Sequence, residues 1–199
     1  MPRHQWEKAW AEKKFQIVTL EPSVLVKKYN DTLSPGDLVL DIGCGNGRNS
    51  IFLAQKGCVV EAMDVADVGW YDGLSPETKN KIAFTRLNIR DFNFRPQRYK
   101  AVVVARVIQY LNNDELDFLL EKIVDSLQSD GFMLLSYTAT GGIFDRGDID
   151  VPKYHHKIGD VKEKLAKYFS KIIVTNGDKK SSKVNYSGQI KSYDVWAGK

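Results

Sequence analysis

The sequence predicts an α/β fold: a doubly wound sheet of seven strands, mostly parallel, with helices on both faces and an antiparallel strand at the C-terminus. Three observations carry this reading. Short apolar runs alternate with segments of helical periodicity from residue 38 onward. The run Tyr99 to Ala105, centred on Ala101-Val102-Val103-Val104, is apolar without alternation, which marks a strand buried on both faces. Finally, the short return from Lys171-Ile172-Ile173-Val174-Thr175 to Ser192-Tyr193-Asp194-Val195-Trp196-Ala197 implies an antiparallel hairpin.

Taken in order, residues 3–15 have helical periodicity, with Trp6, Trp10 and Phe15 on one face. Two tryptophans there need a surface, either as plain packing onto the domain or as a lid whose aromatic face meets a positively charged ligand. Glu21-Pro22-Ser23 starts a second helix through Asp31, with Val24, Leu25 and Tyr29 as its stripe. Ser34-Pro35-Gly36-Asp37 turns the chain into the first strand, Leu38-Val39-Leu40. That strand runs into Asp41-Ile42-Gly43-Cys44-Gly45-Asn46-Gly47, then a helix from Arg48 to Lys56 that stops at Gly57. Cys58 to Met63 is a second strand ending in Asp64, and residues 65–80 are a polar loop with a short helix. Lys81 to Leu87 is strand three. After strand four, Asn112-Asn113-Asp114 caps a helix over 115–128, with Leu116, Leu119, Leu120, Ile123, Val124 and Leu127 inward. Ser129-Asp130-Gly131 is a turn into strand five, Phe132 to Tyr137. From Thr138 to Asp160 the sequence loosens, with Gly141, Gly142, Gly147, Pro152 and the pair His155-His156, and Val161 to Phe169 is the last helix.

The glycine-rich segment is a ligand cradle. Three glycines at alternate positions permit a tight turn and a close backbone approach, and free N–H groups at the start of the following helix face whatever binds. A dinucleotide loop has the spacing Gly-x-Gly-x-x-Gly and places a pyrophosphate on the helix. Here the spacing is Gly43-x-Gly45-x-Gly47, and Asp41 just before it would repel a pyrophosphate but attract an ammonium group. Asp64, at the end of strand two, stands where a ribose diol needs an acceptor. A ligand with a ribose, an amino-acid head and no pyrophosphate is S-adenosylmethionine.

The pattern from Val39 through Asn49, followed by Asp64, resembles the class I S-adenosylmethionine-dependent methyltransferases over roughly residues 36–138. The resemblance implies a Rossmann-like sheet with an inserted seventh strand, and S-adenosylmethionine as cofactor, leaving as S-adenosylhomocysteine. It assigns the cofactor to Asp41, Gly43, Cys44, Gly45, Asn46, Gly47, Arg48, Asp64 and Val65. Asn88 and Ile89 (or Asp91) are implied for the adenine, and Ala105 and Arg106 for the edge facing the donor methyl. A weaker likeness is to the small tellurite-resistance and thiopurine type. It rests on the tryptophan helix, Gly45-Asn46-Gly47-Arg48-Asn49-Ser50, and Asn88-Ile89-Arg90-Asp91-Phe92-Asn93-Phe94. Residues 1–199 then form one methyltransferase domain: N-terminal helices or lid at 1–33, the cofactor-binding core at 36–138, and a substrate-side loop, last helix and hairpin at 139–199.

Composition bounds the alternatives. A chain of 199 residues, 43% hydrophobic and 27% charged, is one globular domain without an apolar run of membrane-spanning length or a signal-type leader, so the cytoplasm is the expected location. Two cysteines support neither a disulfide framework nor a zinc site, and no metal is expected. Cys44 reads as a small side chain that fits its loop. The net charge of +4 is modest, and the run Lys179-Lys180-Ser181-Ser182-Lys183 reads as a solvated loop.

Methyl transfer is in-line displacement at an already activated carbon, so alignment and exclusion of water are the protein's main tasks. A base is needed only when the acceptor carries a proton. Candidates near the expected site are Tyr137, His155, His156 and Asp145, although a histidine in a polar loop is ordinarily a surface residue. Arg106 is a candidate to hold an anionic acceptor, or else the partner of an acid such as Asp145. No Asn/Asp-Pro-Pro-aromatic motif follows strand four, where Ala105-Arg106-Val107-Ile108 stands, which argues against base-amine methylation of DNA. The expected acceptor is a small molecule. The alternatives are RNA or protein as acceptor, or a non-catalytic domain that binds the cofactor.

Overall fold

A computed structural model describes residues 3–12, 20–140, 151–176 and 191–199. The expectations placed on Phe15, Gly141, Gly142, Asp145, Gly147 and the Lys179–Lys183 run lie outside the described residues. The elements are α1 (Arg3–Ala11), α2 (Val24–Tyr29), β1 (Leu38–Ile42), α3 (Arg48–Gln55), β2 (Val59–Asp64), α4 (Pro76–Lys79), β3 (Ile82–Arg86), β4 (Tyr99–Ala105), α5 (Asn113–Ser126), β5 (Leu127–Thr140), α6 (Ile158–Ala166), β6 (Lys171–Asn176) and β7 (Lys191–Gly198). The seven strands form one sheet in the order β3-β2-β1-β4-β5-β7-β6. All neighbours are parallel except β7, which lies antiparallel between β5 and β6. The order reverses between β1 and β4, so the loops after those two strands open on a common crevice.

Alternation along the central strands builds two cores. Val39, Ala101 and Val103 pack toward α2 and α3, while Leu40, Ile42, Val102 and Val104 pack toward α5 and α6. The unbroken apolar run Ala101–Ala105 in β4 thus follows from burial on both sides. Asn112 caps α5 by accepting from Glu115 N–H while the Glu115 carboxylate accepts from Asn112 N–H, both at 2.9 Å.

Several expectations are corrected. Strand five begins at Leu127, not Phe132; Ser129-Asp130-Gly131 lies inside it, where the register against β4 shifts between Tyr99 and Ala101, and Leu127 pairs with Tyr99 instead of ending α5. Helix α2 is short and buries Leu25 and Val26, leaving Val24 exposed. The last helix runs over Ile158–Ala166, three residues earlier than its apolar spacing suggests at each end. Among the described residues no helix is long and apolar enough to cross a membrane, and no cluster of metal-ligating side chains occurs.

Candidate functional site

The loop between β1 and α3 folds on itself. Gly43 and Cys44 N–H both donate to Met63 O at 2.8 and 3.0 Å, Gly47 N–H donates to Cys44 O at 3.0 Å, and Gly45 N–H donates to Asp64 Oδ2 at 2.9 Å. Four of the five loop amides, those of Gly43, Cys44, Gly45 and Gly47, are therefore committed within the fold. Beside the loop stand the carboxylates of Asp41 and Asp64, which are unsuited to a pyrophosphate. Cys44 is buried, and burial pushes its thiol well above the ordinary range, in keeping with a small residue that fits.

Asp41 has no solvent exposure. Ser50 Oγ, one turn into α3, donates to its Oδ2 at 2.6 Å, whereas Oδ1 is buried without a hydrogen-bond partner. Burial raises its pKa to about 6, against smaller opposing effects from Ser50 and the Arg48 guanidinium. A buried carboxylate oxygen left unpaired is costly, and a cationic group at this spot would satisfy it. Asp64 also sits above the usual carboxylate range through burial, opposed by the N–H groups of Ala66 (to Oδ1, 2.9 Å), Gly45 and Val65. Each carboxylate oxygen holds further lone pairs.

Each loop glycine faces a side chain from a different element. A methyl group at Gly43 would collide with Val107, and one at Gly47 with the ring of Trp70. At Gly45 it would lie 3.1 Å from Cζ2 of Trp10 on α1. All three glycines have positive φ, a region L side chains rarely adopt. Trp70, which packs edge-on against Tyr71 and Phe84, carries no sequence signal because an adjacent aromatic pair in a polar loop has no period.

Beyond β4 the chain turns through Arg106 at φ 63, a strained conformation for a non-glycine residue. Its N–H extends the ladder to Ser136 O at 2.7 Å, and its guanidinium donates to Thr138 Oγ1, with Asp194, Arg48 and Tyr110 as its charged and polar surroundings. Ala105 ends β4 beside Ser136. A 3-10 turn over Ile108–Tyr110 follows. Tyr110 meets Trp6 of α1 edge-on at 4.6 Å. Residues 154–156 are stitched to the same turn: Tyr154 N–H donates to Gln109 O at 2.8 Å, and His156 Nε2 lies 3.0 and 2.9 Å from the carbonyls of Ile108 and Leu111. Since both partners only accept, that nitrogen carries the proton. His156 is buried, contrary to the surface position expected of it. His155 Nδ1 likewise meets Ala139 O at 2.8 Å. Tyr137 is buried with its hydroxyl unpartnered, packed near Tyr193 on the α6 side of the sheet, and burial raises its pKa. Asn88 caps the turn Ile89–Asp91, its side-chain oxygen accepting from Arg90 N–H at 3.0 Å; Ile89 is half-buried and Asp91 exposed.

Residues 39–131 match the family model described as a methyltransferase domain. Among curated proteins, the ribosomal protein L11 methyltransferase of Campylobacter concisus is 36% identical over 115 residues, covering 56% of this chain and 38% of that protein. A probable S-adenosyl-L-methionine-dependent methyltransferase, TehB of Haemophilus influenzae, is 25% identical over 122 residues, or 55% of this chain and 42% of the relative. The chain thus spans about two fifths of the length of these relatives. Among solved structures, Burkholderia thailandensis 1,6-didemethyltoxoflavin-N1-methyltransferase, with 1,6-didemethyltoxoflavin and S-adenosylhomocysteine bound, superposes with a TM-score of 0.77 at 13% identity, covering 99% of this chain and 86% of that one. Magnesium protoporphyrin IX methyltransferase from Synechocystis gives 0.67 at 22% identity, covering 88% and 80%. These structural likenesses establish the fold. Residues 39–131 are thus similar to the methyltransferase domain family, and the chain shares the Rossmann-like fold of S-adenosylmethionine-dependent methyltransferases.

Proposed function

We propose that this chain transfers the methyl group of S-adenosylmethionine to a small-molecule acceptor. The observation that carries the reading is the buried, unpaired Oδ1 of Asp41 at the mouth of the glycine loop, a site for the ammonium of an amino-acid head. Arg48, held close enough to act on Asp41, is suited to the accompanying carboxylate. Asp64 is assigned the ribose hydroxyls, and Asn88 with Ile89 the adenine. When bound, the sulfonium supplies a methyl group already activated for displacement. The chain's own task is to align and to exclude water. Helix α1 and residues 151–157 both reach the 3-10 turn that follows β4, through Trp6, Val151, Tyr154 and His156. A roof over that edge suits an acceptor small enough to be enclosed, with Arg106 and Tyr110 along its wall.

Thermal unfolding with S-adenosylmethionine, S-adenosylhomocysteine and NAD tests the cofactor half. A ligand at 100 times its Kd adds about 2.7 kcal/mol, or roughly 5–10 °C in a domain of this size. The expected result is a shift with the two adenosyl-sulfur ligands that is lost in Asp64→Ala. A shift with NAD alone would overturn the reading. Release of S-adenosylhomocysteine across a panel of small acids, amines and thiols, set beside a ribosomal protein fraction, tests the acceptor half. Turnover confined to the protein fraction, with steep salt dependence, would replace the small molecule by a macromolecule.

A further inference from the structure

Three observations meet at Gly45. Its N–H holds Asp64 Oδ2 at 2.9 Å, tying the loop to the end of β2. Asp41, with its unpaired oxygen, is the penultimate residue of the neighbouring strand β1, and adjacent strands lie only about 5 Å apart. The benzo edge of the Trp10 indole reaches the same glycine, with Cζ2 and Cη2 3.1 and 3.5 Å from the position a Cβ would occupy. The helix that carries Trp10 is anchored at two points: Glu7 pairs with Arg86 at the end of β3 at 3.5 Å, and Trp6, one turn earlier, packs edge-on against Tyr110. In S-adenosylmethionine the charged sulfur lies covalently between the amino-acid head and the ribose. A ligand whose head is at Asp41 and whose ribose is at Asp64 therefore carries its positive charge across the stretch of loop that Trp10 covers.

We propose that Trp10 is a specificity-determining residue that reads the charge on the cofactor, so that the site prefers the cationic methyl donor over the neutral demethylated product. A tryptophan face within about 6 Å attracts a desolvated cation and has no such attraction for a thioether. The consequence is product release: once the methyl group and the charge have gone, the aromatic contribution to binding goes with them. This inference rests on the cofactor reading above and assigns a role to a residue outside the matched family domain.

Isothermal titration of S-adenosylmethionine and of S-adenosylhomocysteine into wild type, Trp10→Phe and Trp10→Leu tests it without any acceptor. The expected result is a fall in the preference for the methyl donor of about three- to tenfold in Trp10→Leu, with Trp10→Phe intermediate. Binding of S-adenosylhomocysteine by the variants reports that the site is still folded. Should Trp10→Leu not fold, protein grown on a fluorinated tryptophan keeps the shape of the ring while draining its electron density. The same ratio should then fall, and fluorination should not change it in a Trp10→Phe control. An unchanged ratio in the folded variants or in the fluorinated protein would overturn the proposal. Failure of wild type to bind either ligand would instead overturn the cofactor reading.

Discussion

At Asp41 one carboxylate oxygen is bonded to Ser50, the other is unpaired, and burial holds the pKa at about 6. The unfolded chain ionises near the ordinary carboxylate value, so between pH 4 and pH 6 the folded form retains a proton that the unfolded form has lost. The contribution of this residue to stability therefore falls as pH rises through that window and levels off above it. In urea unfolding, wild type should lose roughly 2 kcal/mol between pH 4.5 and pH 7.5 relative to Asp41→Asn. Binding of S-adenosylmethionine should move the other way. The ammonium prefers the ionised carboxylate, so affinity should rise about tenfold from pH 5 to pH 7.5 and stay nearly flat in Asp41→Asn. Equal pH dependence in the two proteins would exclude this role for Asp41. The place of Asp41 beside the glycine loop was legible because it stands two residues before Gly43. Ser50, which holds it, was not, because a serine in the first turns of a helix has many.

Among the elements, the β1–α3 connection combines a sequence requirement with a packing one. Gly47 has φ 73, and the Trp70 ring occupies the space its side chain would need. Gly47→Ala should destabilise the domain by about 2–4 kcal/mol, summing a left-handed penalty and overpacking. Chemical denaturation reads this directly, and a loss below about 1 kcal/mol would mean that Trp70 swings away freely. Elements with an uninterrupted physical signal were legible in the sequence: β4 by its apolar run, α5 by its Asn112 cap and stripe, the hairpin by its brief return. Where a local cue and a tertiary one conflict, the sequence misleads. Ser129-Asp130-Gly131 has turn chemistry, yet pairing with Tyr99 draws Leu127 into β5 and leaves those residues at a register shift. Likewise, the choice of Val26 over Val24 for burial depends on how a six-residue helix meets α3, through Ser23 N–H donating to Asn49 Oδ1 at 2.9 Å.

For the molecule as a whole, His156 ties the C-terminal third to the sheet's central edge, across 48 residues to Ile108 and 45 to Leu111. His156→Leu removes the donor at similar volume and takes it from the Leu111 carbonyl, while Ile108 O keeps the Leu111 N–H, which should cost about 1–3 kcal/mol. His156→Gln, which keeps an N–H, should recover part of it, and equal losses in both variants would mean that packing alone matters. No sequence pattern announces such a contact, because neither partner knows of the other until the fold brings them together. The inserted strand β7 has a consequence for synthesis. Its place is between β5 and β6, so β6 has no neighbour in the sheet when it leaves the ribosome, and the far edge of β5 stays uncovered until residues 191–198 have been made. For that interval the growing chain displays an unpaired, apolar strand edge able to accept any extended segment. The last strand in the sequence thus closes the sheet against association with other nascent chains.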